Sequence, residues 1–286
     1  MHRPTIKEIF KFGIDFLKTH NIESPDVNTE MLLCWILNLS RIEIRLESDK
    51  IITEKQQKQF MEALKSRANH TPLQYIIGKI SFYNITINVN KSVLIPRPET
   101  EELVKIIINN IHESCYQIRN ILDIGTGSGC ISIALGKEFT DIKIDGIDIS
   151  ASAINCANAN KNSLNISNIT FINADISDYQ TNKKYDIIVS NPPYISIYDY
   201  EKLDKELFFE PKIALTDNND GLTFYRMIAD KSNSFLNKNG KIFLECGINQ
   251  AEKIVSIFDN NKYKIQIVKD FAGIDRFIIL EMYSDL

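Results

Sequence analysis

From residue 120 onward the chain repeats one local pattern, in which a short apolar segment is followed by a turn and then by a helix-like segment. This alternation predicts a mostly parallel sheet, because parallel neighbours are joined by long crossover connections that usually contain a helix. A doubly wound sheet of this kind binds its ligands outside the carboxyl ends of the strands. The strand-like segments span residues 121–124, 142–147, 169–173, 185–190, 240–245, 263–269 and 276–281.

The beginning of the chain instead predicts a small helical module. Thr5 with Glu8 and Thr53 with Gln56 match the capping box that begins helices, and Asp26 is a candidate cap for a helix between them. The apolar positions of these helices are spaced to form one core. The expected core residues are Ile6, Ile9, Phe10, Ile14, Leu17, Val27, Met31, Leu32, Trp35, Phe60, Ala63 and Leu64.

A change in the sequence pattern after the helices predicts a β-hairpin. Apolar and polar residues alternate there, and Gly78 and Asn84 are turn candidates. We therefore expect three parts: a helical N-terminal domain over residues 1–70, a hairpin linker over 71–95, and a ligand-binding sheet domain over 96–286.

Composition narrows the possible functions of this 286-residue chain. Hydrophobic residues make up 44% and charged residues 24%, as in ordinary globular proteins. The net charge is −4 and neither part of the chain is strongly basic, which argues against tight nonspecific binding to nucleic acid. With no apolar run long enough for a membrane span, we expect a cytoplasmic protein. The scattered cysteines predict reduced thiols and no metal site; they are Cys34, Cys115, Cys130, Cys156 and Cys246.

A glycine-rich turn follows the first strand of the predicted sheet. Glycine lets a ligand approach the backbone, and the helix after the turn offers free N–H groups and a positive dipole end. The turn departs from the dinucleotide-binding fingerprint, since Cys130 stands where that pattern has glycine. The candidate ligand-binding residues of the turn are Gly125, Thr126, Gly127, Ser128 and Gly129.

Two aspartates lie at the ends of the next strands. Asp148 can accept hydrogen bonds from two ribose hydroxyls, with a helix cap as the alternative role. Ser150 is the better cap candidate, which leaves Asp148 free. Asp175 can accept from an adenine amino group while Ile176 packs near the ring, although a solvated loop aspartate is an equal alternative for Asp175.

A rigid polar turn follows the fourth strand at the same predicted edge. Two consecutive prolines fix φ and remove two backbone donors, so the turn presents carbonyl acceptors. The Asn191 side-chain carbonyl and the Pro192 backbone carbonyl suit the two N–H groups of a planar amide or exocyclic amine. The residues of this turn are Asn191, Pro192, Pro193 and Tyr194.

With residues 123–129, Asp148 and residues 191–194, the chain resembles class I methyltransferases that use S-adenosylmethionine. The last of these motifs is shared by enzymes that methylate adenine, cytosine or glutamine amino groups. Further motifs resemble the HemK/PrmC family, which methylates glutamine in peptide chain release factors. These motifs span residues 72–78, 94–101, 220–222, 225–226 and 270–276.

The resemblance implies a Rossmann-like catalytic domain with a seven-stranded, mostly parallel sheet, and an N-terminal helical domain for substrate recognition. It implies methyl transfer from S-adenosylmethionine, with S-adenosylhomocysteine as product, to the glutamine of the Gly-Gly-Gln motif in bacterial class 1 release factors, which modulates translation termination. We expect a monomer that binds no nucleic acid directly.

The resemblance also assigns residues to roles. The cofactor site would comprise Gly125–Gly129, Asp148, the position of Asp175 and Ile176, and Asn191. Residues 191–194 would form the catalytic and substrate-binding turn. Arg97 and Glu99 lie in a loop that is typical of the family. They would either support the substrate or the order of this loop, or form a surface ion pair, and these two alternatives are equal.

The chemistry of an amide favours catalysis by positioning, because its nitrogen is nearly nonbasic and a general base gains little before methyl transfer. Acceptors at Asn191 and Pro192 would favour the positive charge that develops on nitrogen. Three other functions stay open at this point: glutamine methylation of a ribosomal protein, adenine methylation of DNA, and a noncatalytic protein that binds a translation factor.

Overall fold

A computed structural model of the chain describes residues 3–258 and 262–283. The chain divides into two compact units. One contains the chain up to Lys79 together with Asp204–Phe209, and the other contains Ile80–Leu203 and the chain from Glu210 onward. None of the described helices is long and apolar enough to cross a membrane.

The first unit is helical, as the sequence predicts. Its helices are α1 (Ile6–Thr19), α2 (Pro25–Leu37), α3 (Arg41–Leu46), α4 (Glu54–Ala68) and α5 (Leu73–Ile77), with a short 3₁₀ turn at Leu207–Phe209. The predicted capping boxes at Thr5 and Thr53 are confirmed. Ser40 with Glu43 forms another capping box, which starts a helix that was not predicted.

Helix α2 corrects two predictions. Asp26 is not the cap: the helix starts at Pro25, whose fixed φ and missing N–H suit the first helical position. The buried face was also wrong, because Val27 and Met31 are 38% exposed and Trp35 is 40% exposed. Helix α2 has apolar residues on several of its sides, so the periodicity of its sequence did not identify one buried face. The side that carries Leu32 and Leu33 is the buried one.

The hairpin is shorter than predicted. Residues 73–77, expected to be extended, form α5, and Gly78 ends that helix with φ +81°. Strands β1 (Lys79–Phe82) and β2 (Ile85–Asn88) follow and pair in a two-stranded sheet.

The second unit contains the sheet. Among the described residues, seven strands pair in the order β5-β4-β3-β6-β7-β9-β8, and β9 alone runs in the opposite direction to the other six. This confirms the prediction of a mostly parallel, seven-stranded sheet. The strands are β3 (Asn120–Ile124), β4 (Lys143–Asp148), β5 (Ile169–Asn173), β6 (Tyr185–Ser190), β7 (Leu236–Glu245), β8 (Tyr263–Lys269) and β9 (Asp275–Met282). The helices are α6 (Pro98–Glu113), α7 (Cys130–Glu138), α8 (Ala151–Ser163), α9 (Ile197–Tyr200), α10 (Lys212–Leu215), α11 (Thr223–Phe235) and α12 (Ala251–Val255).

Strand order locates the ligand-binding edge. The chain moves outward from β3 through β4 to β5, then returns to the other side of β3 with β6. This reversal between β3 and β6 is a topological switch point, where the loops leave in opposite directions and open a crevice. Both the glycine-rich turn after β3 and the Asn191 turn after β6 leave the sheet at this crevice.

Candidate active site

The sheet register brings the predicted site residues to one edge. Ile124 pairs with Ser190 on β6 and with Ile147 on β4, so the residues that follow these three leave the sheet side by side. The Ser190 hydroxyl donates to the Ile124 carbonyl at 2.7 Å, which ties the two loops together where they begin. Gly125 and Asn191 therefore directly follow the ends of their strands, and Asp148, the last residue of β4, lies at the same edge.

The glycine turn needs its glycines for two different reasons. Gly125, Gly127 and Gly129 have φ of +73°, +55° and +80°, which side chains rarely adopt. A Cβ on Gly125 would meet no described atom within 4 Å, whereas one on Gly129 would lie 2.8 Å from the Phe171 ring. Gly129 thus allows close packing against the sheet, and Gly125 leaves space open at the turn.

Asp123 lies beneath this turn and is fully buried. Its Oδ2 atom accepts from the Thr126 and Ser132 hydroxyls, both at 2.6 Å. Its Oδ1 atom has no hydrogen-bond partner among the described residues. Burial raises the pKa of Asp123 to about 6, although the two hydroxyls lower it. Asp123 therefore keeps one buried carboxylate oxygen without a described hydrogen-bond partner directly beneath the turn.

Asp148 orders the same turn from β4. Its carboxylate accepts from the backbone N–H groups of Gly127 and Ser150, both at 2.9 Å, so it is less free than predicted. Ser150 caps α8 as predicted, accepting from the Ala153 N–H. Burial raises the pKa of Asp148. Since a carboxylate has about four acceptor positions, two remain for hydroxyl groups.

Asp175 and Ile176 follow β5 at the same edge. Asp175 Oδ1 accepts from the Ser177 N–H at 2.8 Å, which forms an Asx turn. Ile176 is buried and belongs to a hydrophobic core cluster of the second unit. Ile149, which we did not single out from the sequence, directly follows Asp148 and is 49% exposed. It offers an apolar surface at this edge. Its position directly after the aspartate that ends a strand is the sequence signal by which it could have been found.

The Asn191 turn is held by neighbouring loops. The Asn191 side-chain amide donates to the Thr100 hydroxyl at 3.0 Å. The Tyr194 carbonyl accepts from the Gln250 side chain at 2.8 Å, and a Cβ on Gly221 would lie only 2.3 Å from the same carbonyl oxygen. Burial raises the pKa of Tyr194 to about 12, so its hydroxyl stays neutral.

Sequence reasoning missed two buried residues next to Asn191. Thr100, in the first turn of α6, donates from its hydroxyl to Glu245 Oε2 at 2.8 Å. Glu245 ends β7 and is 1% exposed, and burial raises its pKa to about 7. The rule that ligands bind at strand ends pointed to Glu245, but only the register shows that it neighbours Asn191.

Asn160 was also missed, because it lies inside α8. Its side chain donates to the Ser128 carbonyl at 3.0 Å and to the Asn88 carbonyl at 2.9 Å. Its oxygen accepts from the Asn88 backbone N–H at 2.8 Å. Asn160 thereby connects the glycine turn with the second strand of the hairpin.

Arg97 and Glu99 have different surroundings. Arg97 pairs with Glu210, whose side chain is buried. Glu210 also accepts from the Ile95 backbone N–H at 2.9 Å, so the pair fixes the loop before α6. Glu99 is half-buried in the first turn of that helix.

The sheet order, the glycine turn and the row of polar residues at the switch point define a class I methyltransferase. A methyltransferase from Pyrococcus furiosus shares the fold, with a TM-score of 0.53 and 16% identity over 81% of this chain and 100% of that chain.

Sequence comparisons define the family more closely. Residues 8–78 match the PrmC N-terminal domain and residues 100–221 the methyltransferase small domain. A release factor glutamine methyltransferase from Fusobacterium nucleatum is 39% identical over 95% of this chain and 77% of its own length. One from Thermodesulfovibrio yellowstonii is also 39% identical, over 89% of this chain and 92% of its own length. The chain belongs to the release factor glutamine methyltransferase family.

Proposed function

We propose that this protein transfers a methyl group from S-adenosylmethionine to the side-chain amide nitrogen of the glutamine in the Gly-Gly-Gln motif of bacterial class 1 release factors. This modification modulates translation termination. The observation that carries the proposal is the single row of Gly125, Asp148 and Asn191 at the switch point. It combines a cofactor-binding turn with an amide-binding turn, and the relatives bear the name of this activity.

The residues of the glycine turn fit S-adenosylmethionine. The open space at Gly125 allows a ligand to approach the backbone. Asp123 Oδ1, buried without a partner among the described residues, suits the positively charged ammonium group of the cofactor. Asp148 keeps acceptor positions for the ribose hydroxyls. We assign the adenine end to Ile149, Asp175 and the neighbourhood of Ile176.

Residues 191–194 carry the chemistry on the acceptor side. When bound, S-adenosylmethionine supplies an electrophilic methyl group attached to a sulfonium sulfur. The Asn191 carbonyl and the Pro192 carbonyl accept the two N–H bonds of the glutamine amide, which fixes its nitrogen in line for attack. Pro192 and Pro193 make the turn rigid, and Tyr194 covers a face of the amide. Because positive charge develops on this nitrogen, fixed carbonyl dipoles stabilise the transition state more than the bound substrate.

The helical first unit is proposed to bind the release factor away from its glutamine. Val27, Met31 and Trp35 are spaced four residues apart on α2 and are 38–40% exposed, which offers an apolar surface to a protein partner. We further propose that the protein acts in the cytoplasm as a monomer and without direct contact with nucleic acid.

A labelling experiment tests the function. The protein is incubated with labelled S-adenosylmethionine and, separately, with a release factor, ribosomal proteins and DNA, and the labelled residue is mapped by mass spectrometry. We expect label on the Gly-Gly-Gln glutamine of the release factor. Label on ribosomal protein alone or on DNA alone would reject the proposal in favour of that substrate, and failure to bind the cofactor would favour a noncatalytic role.

A matched pair of glycine variants tests the cofactor site. Gly125→Ala and Gly273→Ala introduce a methyl group at φ +73° and +81°, with no described atom within 4 Å in either case. Both should lower the free energy of unfolding by about 1 kcal/mol. Only Gly125→Ala should weaken S-adenosylhomocysteine binding by about tenfold or more, measured by calorimetry. Equal affinity in the two variants would contradict the assignment of the turn.

The Asn191→Ala variant tests the amide site. We expect kcat to fall by about 100-fold, the scale seen when one transition-state hydrogen-bond partner is removed. Cofactor affinity should change much less, because the glycine turn and Asp148 are retained. Equal losses in kcat and in cofactor affinity would contradict the proposed role.

A further inference from the structure

A chain of three polar side chains begins at Asn191 and continues through two buried residues behind its turn. The Asn191 amide nitrogen lies 3.0 Å from the Thr100 hydroxyl, which lies 2.8 Å from Glu245 Oε2. Thr100 is 2% exposed and Glu245 is 1% exposed. The three residues come from the loop after β6, the first turn of α6 and the end of β7, so the fold alone brings them together.

The chemistry of these groups fixes the direction of the hydrogen bonds. An ionised carboxylate only accepts, and a hydroxyl has a single hydrogen to donate. The Thr100 hydroxyl therefore donates to Glu245 and can only accept from Asn191. If the Asn191 amide were turned by 180°, its carbonyl oxygen would face the Thr100 hydroxyl oxygen. That hydroxyl already donates its hydrogen to Glu245 and has none left for Asn191. A buried clash of two acceptors is unfavourable, so one orientation of the Asn191 amide is selected.

That orientation is the one that amide methylation requires. With its N–H₂ group facing Thr100, Asn191 has its carbonyl oxygen free for the N–H of the substrate. The opposite orientation would present N–H groups to a nitrogen that is becoming positively charged. We propose that Thr100 and Glu245 are positioning residues that keep the Asn191 carbonyl directed at the substrate amide. The inference rests on the proposed function, because it assumes that Asn191 binds the substrate amide.

The ionisation of Glu245 gives this arrangement a pH signature. Burial raises the pKa of Glu245 to about 7, while Thr100 and the charge of Arg276 lower it. A protonated Glu245 can itself donate to the Thr100 oxygen, so the Thr100 hydrogen can turn toward Asn191. The Asn191 amide then no longer has one preferred orientation. Turnover should therefore fall as the pH drops through about 7. The charged and titratable groups that face Glu245 are Arg97, Glu99, Cys130, Tyr194, Tyr225, Cys246 and Arg276.

A set of near-isosteric variants tests the proposal. Thr100→Val keeps the side-chain shape but removes the hydroxyl, and we expect kcat on the release factor to fall about tenfold or more with unchanged S-adenosylhomocysteine affinity. Thr100→Ser restores a hydroxyl and should recover most of the activity. Ser232→Ala removes another buried hydroxyl, which bonds to Tyr263 at the start of β8, and controls for a loss of stability alone.

The pH profile of Glu245→Gln provides an independent readout. Glutamine has no group that ionises, and its amide, like protonated Glu245, can donate to Thr100 as well as accept from it. At saturating cofactor, kcat of the wild type should fall on the acidic side of pH 7, and kcat of Glu245→Gln should not. This comparison decides the matter even if Thr100→Val does not fold.

The outcomes separate the two hypotheses. Wild-type kcat in Thr100→Val, or an unchanged acidic limb in Glu245→Gln, overturns the positioning role while leaving the proposed function intact. Full activity in Asn191→Ala instead overturns the role of Asn191 itself, on which this inference depends. A KM increase for the release factor without loss of kcat in Thr100→Val would also overturn the positioning role.

Discussion

Gly221 offers a sharp test of how the Asn191 turn is held. This glycine has φ +79°, and a Cβ built on it would lie 2.3 Å from the Tyr194 carbonyl oxygen. An ordinary van der Waals contact begins near 3.4 Å, so Gly221→Ala must displace one of the two backbones by about 1 Å. The Gln250 side chain, 2.9 Å from the same Cβ, would have to move as well and would weaken its bond to Tyr194.

The expected loss has two parts. Alanine in a left-handed conformation costs about 1 kcal/mol, and a disturbed hydrogen bond from Gln250 costs about 1 kcal/mol more. We therefore expect the free energy of unfolding to fall by roughly 2 kcal/mol. A shift of about 1 Å at a reacting group can reduce the rate about 100-fold, which equals about 2.7 kcal/mol of transition-state stabilisation.

The assay compares Gly221→Ala with Gly78→Ala. Gly78 has a nearly equal φ of +81°, and its Cβ would meet no described atom within 4 Å, so this variant carries the backbone strain without the displacement. We expect kcat on the release factor to fall about 100-fold in Gly221→Ala and to stay near wild type in Gly78→Ala. S-adenosylhomocysteine affinity should stay within about threefold in both. A folded Gly221→Ala variant with kcat within twofold of wild type would refute the reasoning.

Further predictions concern other parts of the chain. S-adenosylhomocysteine affinity should weaken as the pH falls below about 6, since protonation removes the charge of Asp123, and Asp123→Asn should bind weakly at every pH in calorimetry. Asn160→Ala should lose about 2–3 kcal/mol of stability and about tenfold in affinity, because the Ser128 carbonyl loses its partner. Asn168→Ala, which also removes a buried asparagine bonded to backbone carbonyls, should lose stability alone in the same denaturation and binding measurements. Trp35→Ser should raise KM for the full-length release factor in steady-state assays but not for a short Gly-Gly-Gln peptide.

The parts of the site that the sequence predicted are those with local signals. The glycine turn and the Asn191 turn each occupy consecutive positions, and each follows a strand whose limits apolar runs and turn residues mark. Asp148 has the same property, since it ends a strand that is followed by a capped helix. Local propensity and spacing carry this information, and the observed bounds of β3, β4 and β6 agree with it.

Other residues could not be found in this way. Thr100 and Glu245 are 145 positions apart, and nothing near either one shows that they share a hydrogen bond. Only the strand order and register bring them together. The prediction that Trp35 is buried was wrong for a different reason. Helix α2 is apolar on several sides, so its buried face depends on the contacts of Asn28 and Leu32 with the rest of the unit.

The family motifs outside the cofactor site share one physical role, which is to hold the Asn191 turn and the residues behind it in place. Glu210 fixes the loop before α6 through Ile95 and Arg97, and this loop sets the position of Thr100 behind Asn191.

Two other motifs act on the next part of the same edge. Gly221 approaches the Tyr194 carbonyl, and Arg276 donates to the Cys246 carbonyl beside Glu245 at 2.9 Å. In the proposed mechanism the substrate amide is nearly nonbasic and offers no strong charge to bind, so the rate would depend on the accuracy with which carbonyl groups are placed. It follows that sequence segments far apart in the chain are tied to one four-residue turn, and that their substitution should reduce kcat before it reduces cofactor binding.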